Sequence, residues 1–309
     1  MIQIIKAFNK ALIFSALVLT VNLHADEPVE EIVVKGKVLY SDQVKALKTP
    51  TAIIDVPQSL SIVTDEDIRR QGIREIGDII RYTPGVNTSQ GEGHRDAVVF
   101  RGVRSTADFY QDGVRDDVQY YRSLYNIEQV EVLRGPNALL FGRGGTGGIL
   151  NRVTKKAQIG EQFGSFDIGA DDFGAFDFAA DYNTSTGDNT ALRINIHSDT
   201  LENHRDFFDG DRVGFNPTVR IQMSDTTTLD LSYEYADHER FIDRGIPTAN
   251  GQPVEALKDV VFGTSDLNLT TLEADIFRGT LTSDLTDTSK AIFTLTSSEF
   301  EKMYKLSLI

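Results

Sequence analysis

The 309-residue chain contains neither cysteine nor tryptophan. Without cysteine there is no disulfide framework and no thiolate metal site. Positive charge is scarce: 31 Lys and Arg stand against 46 Asp and Glu, a net charge of −15. That balance argues against nucleic acid as a partner, because such surfaces concentrate Lys and Arg against phosphates. Long apolar runs are missing beyond the extreme N-terminus, so no later segment offers the roughly 20 apolar residues of a membrane-crossing helix. A membrane barrel stays open, since its strands alternate apolar and polar residues and leave bulk composition, here 40% hydrophobic, unremarkable. No Ser/His/Asp constellation or paired-carboxylate site stands out, so no enzyme and no cofactor is expected.

The N-terminus is of a different character. Lys6 and Lys10 make a basic start, residues 11–21 are apolar, and Ala25 offers a small residue ahead of Asp26 and Glu27. This is the pattern of a cleaved export signal over residues 1–25. The alternative, a membrane anchor, is too short for ~30 Å of hydrocarbon. Cleavage removes two Lys and no acid, taking the charge from −15 to −17.

Residues 26–48 are polar with one exception, Glu31-Ile32-Val33-Val34-Lys35. A β-branched run inside an acidic tail suits a strand that pairs with a partner protein, the alternative being an edge strand of the next domain. Over residues 49–157 the elements become short and mixed. Residues 59–64 alternate as a strand. Thr64 is placed as an N-cap with Asp65, Glu66 and Asp67 in the first helical turn, where negative charge suits the helix dipole. Ile68, Ile73, Ile76, Ile79 and Ile80 make an apolar stripe through two short helices that end before Pro84-Gly85. An α+β domain of about a hundred residues is predicted.

Residues 158–309 alternate over long stretches. Phe166, Ile168 and Ala170 share one face; Phe176, Phe178, Ala180 and Tyr182 repeat the pattern, as do Leu192, Ile194 and Ile196. The clearest strand sets Val213, Phe215, Pro217, Val219, Ile221 and Met223 against Gly214, Asn216, Thr218, Arg220 and Gln222, and Leu229, Leu231, Tyr233 and Tyr235 follow. Weaker strands are expected near 272–282 and 290–298. Strands of about ten residues match a tilted crossing of a bilayer. Short turns at 183–189, 224–227 and 284–288 alternate with longer loops at 201–211 and 241–271, as in an outer-membrane barrel. A soluble β-sandwich also alternates, but rarely sets charge at nearly every second position.

Gly142-Arg143-Gly144-Gly145-Thr146-Gly147 fits G-x-G-x-x-G. It leads into the strand-like residues 149–154 instead of a helix, so a dinucleotide site is not expected. These glycines are expected to allow close packing where the domain meets a barrel wall. Six blocks carry a more specific resemblance: Val56-Pro57-Gln58-Ser59, Tyr82-Thr83-Pro84-Gly85-Val86, Phe100-Arg101-Gly102-Val103-Arg104, Asp112-Gly113-Val114-Arg115, Ile127-Glu128-Gln129-Val130-Glu131-Val132-Leu133-Arg134-Gly135-Pro136, and Gly147-Gly148-Ile149-Leu150-Asn151-Arg152-Val153-Thr154-Lys155. In this order they resemble the plug of TonB-dependent outer-membrane siderophore receptors. Tyr120-Tyr121 and Phe215-Asn216-Pro217 add to the siderophore branch.

The resemblance implies an α+β plug followed by an antiparallel transmembrane β-barrel, here incomplete. It implies binding of a ferric siderophore at an outer membrane and uptake driven by the periplasmic energy-transducing protein TonB. Receptors for cobalamin, haem or another nutrient, and a non-transporting fragment, are the alternatives. Glu31, Ile32, Val33, Val34 and Lys35 are similar to the TonB box. Arg101, Arg104, Glu128, Glu131 and Arg134 match charged positions that the family turns toward the barrel wall. His94, Arg95, Tyr110, Tyr120 and Tyr121 lie on loops expected to face the ligand, Arg supplying charge-assisted bonds and Tyr stacking surface. No residue is expected to ligate iron, which the siderophore saturates. Six residues between Ala25 and Ile32 leave no room for an added signalling domain.

Large plugged transporter barrels have about 22 strands, and roughly seven are expected here. Seven cannot close a sheet, and an open edge in lipid leaves backbone groups unpaired. Residues 301–309 break the strand rhythm. A truncated copy is therefore expected.

Overall fold

A computed structural model describes residues 43–47, 51–106, 108–136, 141–142, 145–264 and 266–307. The expected export signal and the strand at 31–35 lie outside the described residues.

The small domain begins with two short pairs of residues, β1 (Gln43–Val44) and β2 (Thr51–Ala52), and continues through β3 (Ser59–Thr64), α1 (Asp65–Arg70), α2 (Ile76–Arg81), β4 (Val86–Ser89), β5 (Ala97–Phe100) and β6 (Val103–Ser105). It closes with β7 (Phe109–Gln111), β8 (Val114–Arg115), β9 (Ile127–Arg134) and β10 (Gly148–Thr154). Strands β3, β9, β10, β7 and β8 make one sheet in that order, and β4, β5 and β6 make a second. Helix α1 starts where the sequence places its cap: the Thr64 hydroxyl accepts from the Asp67 amide at 3.2 Å, and the Asp67 carboxylate accepts from the Thr64 amide at 3.3 Å. This reciprocal arrangement satisfies two donors that a helix end would otherwise leave open. All five isoleucines of the predicted stripe are buried, packed with Val98, Phe100, Phe109, Ile127, Val130, Val132 and Leu150. Burying one such side chain is worth about 1.5–3 kcal/mol.

The second part is a meander of long antiparallel strands, β11 (Phe163–Ala170), β12 (Phe176–Gly187), β13 (Thr190–Glu202), β14 (Asp209–Ser224) and β15 (Thr227–Phe241). After the two-residue strands β16 (Thr248–Ala249) and β17 (Gln252–Pro253) come β18 (Leu269–Thr286) and β19 (Ser289–Lys305). The seven long strands lie in the order β11-β12-β13-β14-β15-β18-β19, and the described residues form no closed barrel. Two-residue turns at 188–189, 225–226 and 287–288 mark one end of the sheet. The connections at 171–175, 203–208 and 242–268 mark the other.

Burial along these strands is inverted relative to a soluble sandwich. On β13, Arg193, Asn195, His197 and Asp199 are buried, whereas Ile196 is 37% exposed. On β14, Arg212, Asn216 and Thr218 are buried while Val213, Phe215 and Met223 are exposed. The polar face is turned to the small domain and the apolar face outward. A water-facing sheet would bury the opposite set. No helix among the described residues is long and apolar enough to cross a membrane, which says nothing of strands.

Three expectations need correction. Residues 301–309 do not break the rhythm at 301, since β19 stays paired with β18 as far as Lys305 opposite Leu269. The ladder there is held by backbone bonds, and Lys302 and Tyr304 are occupied with the small domain's His94. The expected turn at 183–189 is mostly strand, because the β12–β13 ladder runs from Asn183 opposite Arg193 to Gly187 opposite Thr190, leaving only 188–189 as the turn. The Gly147-Gly148 pair packs inside the small domain and not on the sheet. A Cβ on Gly147 would fall 2.7 Å from the Phe100 Cβ, and one on Gly148 would fall 2.5 Å from the Leu133 carbonyl.

Candidate functional site

Each of the seven long strands reaches the small domain through polar side chains. Arg69 donates to Ser165 on β11 at 3.4 Å. Arg74 pairs with Asp177 and Lys155 with Asp181, both on β12, the latter at 3.3 Å. Glu128 lies 3.6 Å from Arg193 on β13. Glu75 lies between Arg212 of β14 and Arg240 of β15, at 3.9 and 3.1 Å. Gln111 donates to Glu234 of β15 at 3.0 Å, Asp112 pairs with Arg278 of β18, and Lys302 of β19 donates to His94. The alternation of strands explains the pattern: every second side chain faces inward, so one polar face can answer a polar partner along its whole length. A cavity opens on this seam, lined by Tyr125, Lys155, Asp181, His197 and Arg212 among others.

Of the five charged residues expected to face the wall, Glu128 reaches the sheet. Glu131 and Arg134 are turned into the small domain, Arg134 donating to the Ser59 and Ser61 hydroxyls at 2.9 Å each. Arg101 and Arg104 are exposed, with no ion pair to the sheet among the described residues. The signal for the true partners was present: Asp112 stands in the Asp-Gly-Val-Arg block, and Arg193, Arg212 and Arg278 occupy polar positions of their strands.

Under the loop at 116–125 lies a buried ionic knot. Asp116 accepts from Arg122 at 2.8 Å, from Arg152 at 2.7 Å and from the Tyr120 hydroxyl at 3.0 Å. Arg122 also donates to the carbonyls of Asp116, Val118 and Tyr120, and its guanidinium lies 3.9 Å from the Phe109 ring centre. Burial alone would raise the Asp116 carboxyl, but Arg122 and Arg152 hold it below its ordinary value. Asp96 accepts from the Arg122 amide at 2.8 Å, and there burial wins, pushing its carboxyl up to about 6. The knot fixes the loop that carries Tyr120 and Tyr121.

Four of the five residues expected to face a ligand gather above this knot, at the end of the sheet with the long connections. His94 accepts at Nδ1 from Lys302 at 2.9 Å and its ring lies 4.2 Å from that of Tyr304. Burial, with Lys302 and Arg95 nearby, lowers the His94 pKa and keeps the ring neutral, as an acceptor must be. The Arg240 guanidinium sits 3.9 Å over the Tyr121 ring, and Tyr120 packs near Phe300 at 5.9 Å. Arg95 belongs to the same surface, beside Glu92 at 3.8 Å. Gly93, in the same loop, packs on Ile242 and the Asp243 carbonyl of the longest connection. Lys302, Tyr304 and Arg240 were not foreseen, because nothing local in a strand announces which plug loop it will meet. The arrangement sets three cations (Arg95, Arg240 and Lys302) around two phenols, a chemistry suited to an anionic, ring-bearing ligand. Tyr110 stands apart: its hydroxyl donates to the Phe141 carbonyl at 3.0 Å, within a core cluster that includes Val44 and Leu133.

Comparison with known proteins agrees with this geometry. Residues 52–149 match the model of the TonB-dependent receptor plug domain. The chain is 32% identical over 205 residues to a probable TonB-dependent receptor, BfrD, of Bordetella pertussis, covering 65% of this chain and 28% of that protein. It is 29% identical over 259 residues to a probable TonB-dependent siderophore receptor, PiuA, of Acinetobacter baumannii, covering 80% and 35%. The crystal structure of the PiuA receptor superimposes with a TM-score of 0.78 at 26% identity, covering 85% of this chain and 39% of that one. The chain thus spans about a third of the length of the curated relatives it matches.

Proposed function

We propose, for a chain that belongs to the TonB-dependent receptors over their N-terminal part, that it forms the plug and first wall strands of a ferric-siderophore importer in the outer membrane. The observation that carries this reading is the inverted sheet. An inward face of Arg, Asp, Asn and His is buried on a plug, and an outward face of Phe, Ile and Val is exposed over strands of up to 18 residues. Such a sheet is unstable in water and suited to lipid, where aromatic and aliphatic side chains are the preferred outer surface. The related siderophore receptor PiuA supports the substrate class. Residues 1–25 direct export, and residues 31–35 engage the energy-transducing protein.

His94, Arg95, Tyr120 and Tyr121 of the plug, with Arg240 and Lys302 of the wall, make the site that first meets the loaded chelator. The cations attract its negative charge, while Tyr120 and Tyr121 stay buried beneath them and hold the cations in place. Iron is cargo held by the siderophore and needs no ligand from the protein. The plug–wall ion pairs keep the path closed at rest. Pairs such as Lys155 with Asp181 and Arg278 with Asp112 are largely buried, so breaking one from one side costs about 3 kcal/mol and the path stays shut until it is pulled.

The test is uptake of a radio-iron siderophore panel by iron-starved cells carrying the complete gene, with and without the transducer gene. Uptake of at least one siderophore that disappears without the transducer supports the reading. Uptake that persists without it, or a receptor found only in the soluble periplasm, overturns it.

A further inference from the structure

Glu131 is fully buried, at 0% exposure, yet among the described residues no cation hydrogen-bonds to it. The buried carboxylates of the ionic knot and the seam are answered by arginine or lysine: Asp116 by Arg122 and Arg152, Asp112 by Arg278, Asp181 by Arg193 and Lys155. Glu131 instead receives four neutral N–H groups. Two come from its own sheet, Gln129 Nε2 at 2.7 Å and Asn151 Nδ2 at 3.0 Å. The other two are backbone amides of a segment more than eighty residues away in sequence, Lys45 at 2.6 Å and Ala46 at 2.7 Å. Beside these bonds Val44 and Ala46 are buried against Tyr110, Leu133, Phe141 and Ile149. Residues 43–47 are thus hooked onto the plug at one buried carboxyl and one apolar pocket, and residues 43–44 also pair with β2.

The position of this hook in the chain gives it a consequence. Lys45 stands ten residues after Lys35, the end of the segment proposed to engage the energy transducer. Tension applied at 31–35 travels along the chain and meets 43–47 before any other described residue. We propose that Glu131 is the latch that holds this segment on the resting plug, and that its release is the first step by which a pull from the periplasm reaches the plug core. The inference rests on the energy-coupled reading above. Both amide bonds are short, and leaving would remove half of the donors of a buried carboxyl that burial already pushes up, which is costly. The segment therefore stays docked until pulled. Because Gln129 and Asn151 remain, the carboxylate keeps its place and the segment can return. Release passes first to β2, which pairs with residues 43–44, and then to β3, which lies at an edge of its sheet beside β9.

These 309 residues lack cysteine, so in a receptor whose remaining part has any cysteine replaced, Ala46→Cys places a single thiol at a buried position of the latch. Labelling by a membrane-impermeant maleimide delivered to the periplasm reports its release. The experiment uses the complete receptor in cells, with Leu150→Cys in the plug core as the control for general unfolding. With Glu131 intact, the thiol at position 46 is labelled in energised, ligand-supplied cells and at least tenfold more slowly in cells without the transducer. With Glu131→Gln, that thiol is labelled at the fast rate in both, and the control thiol at position 150 stays unlabelled. The latch is overturned if Glu131→Gln leaves labelling at position 46 dependent on the transducer, or if it exposes position 150 to the same degree. If Glu131→Gln frees position 46 but the transducer never does so with Glu131 intact, the docking role of Glu131 stands and the energy-coupled reading, with the pulling step built on it, falls.

Discussion

Arg193 grips Asp181 with two parallel hydrogen bonds, 2.8 and 2.6 Å long, from adjacent strands on the face of the sheet turned to the plug. Ile194, the next residue along β13, points the other way. The contrast between those neighbours recurs along β13 and β14, while on β18 Leu272, Ala274 and Ile276 are buried; it sets the first expectation. Arg193→Met leaves Asp181 buried with Lys155 as its remaining cation and removes the partner of Glu128. It should lower the stability of the refolded receptor by about 3 kcal/mol, the usual cost of breaking a buried pair from one side. Ile194→Met should change it by less than about 1 kcal/mol. Denaturant midpoints of the two variants in detergent check this.

Outward residues should be sensitive to charge in lipid and indifferent to it in water. Phe215, 40% exposed and mid-strand on β14, is the test position. Phe215→Arg should weaken insertion into lipid vesicles by about 2–4 kcal/mol, the cost of Arg near the middle of a bilayer. On a water-facing surface the same change would stay within about 0.5 kcal/mol. Urea titration of vesicle-inserted receptor reads the difference.

Gly148 is required by space. An added methyl would sit 2.5 Å from both the Leu133 carbonyl oxygen and the Phe100 ring. Neither is the free end of a flexible chain, so Gly148→Ala should destabilise the plug by about 1–3 kcal/mol through overpacking. Protease sensitivity of the plug in the assembled receptor measures it.

Asp96 makes stability depend on pH. Burial raises its carboxyl from 3.8 to about 6, so between these values the folded chain binds more protons than the unfolded one. Its contribution to stability therefore falls as pH rises from about 4 to about 6 and is constant above. Asp96→Asn keeps an acceptor for the Arg122 amide and carries no charge. The variant should gain on the wild type by up to about 3 kcal/mol between pH 4 and pH 7, at 1.36 kcal/mol per pKa unit. Paired melting curves at those two pH values test the sign.

Much of this architecture could be read from local pattern. Thr64 and the five isoleucines announced a capped helix and an apolar stripe, and the period-two rhythm of residues 213–223 announced a strand with unlike faces. What could not be read was long-range. Glu131 and Arg134 share one motif with Glu128 and differ from it only in where β9 points them, which depends on the register of β9 against β3 and β10. Tyr110 looked like a loop residue until β7 was placed beside β10. Lys302 and Arg240 meet the plug across more than a hundred residues of sequence, and their strands carry no mark of the loops they touch.

The orientation of the wall is the central claim, and it can be measured directly in a receptor with any cysteine beyond these 309 residues, which have none, replaced. Single cysteines are placed along residues 213–222 of the receptor in outer membranes and labelled with a nitroxide. The accessibility of each label is then compared between oxygen, which concentrates in lipid, and a water-soluble relaxing agent. Positions 213, 215, 217, 219 and 221 should favour oxygen, while 214, 216 and 218 should be shielded from both by the plug. Odd positions relaxed mainly by the water-soluble agent would contradict a lipid-facing wall.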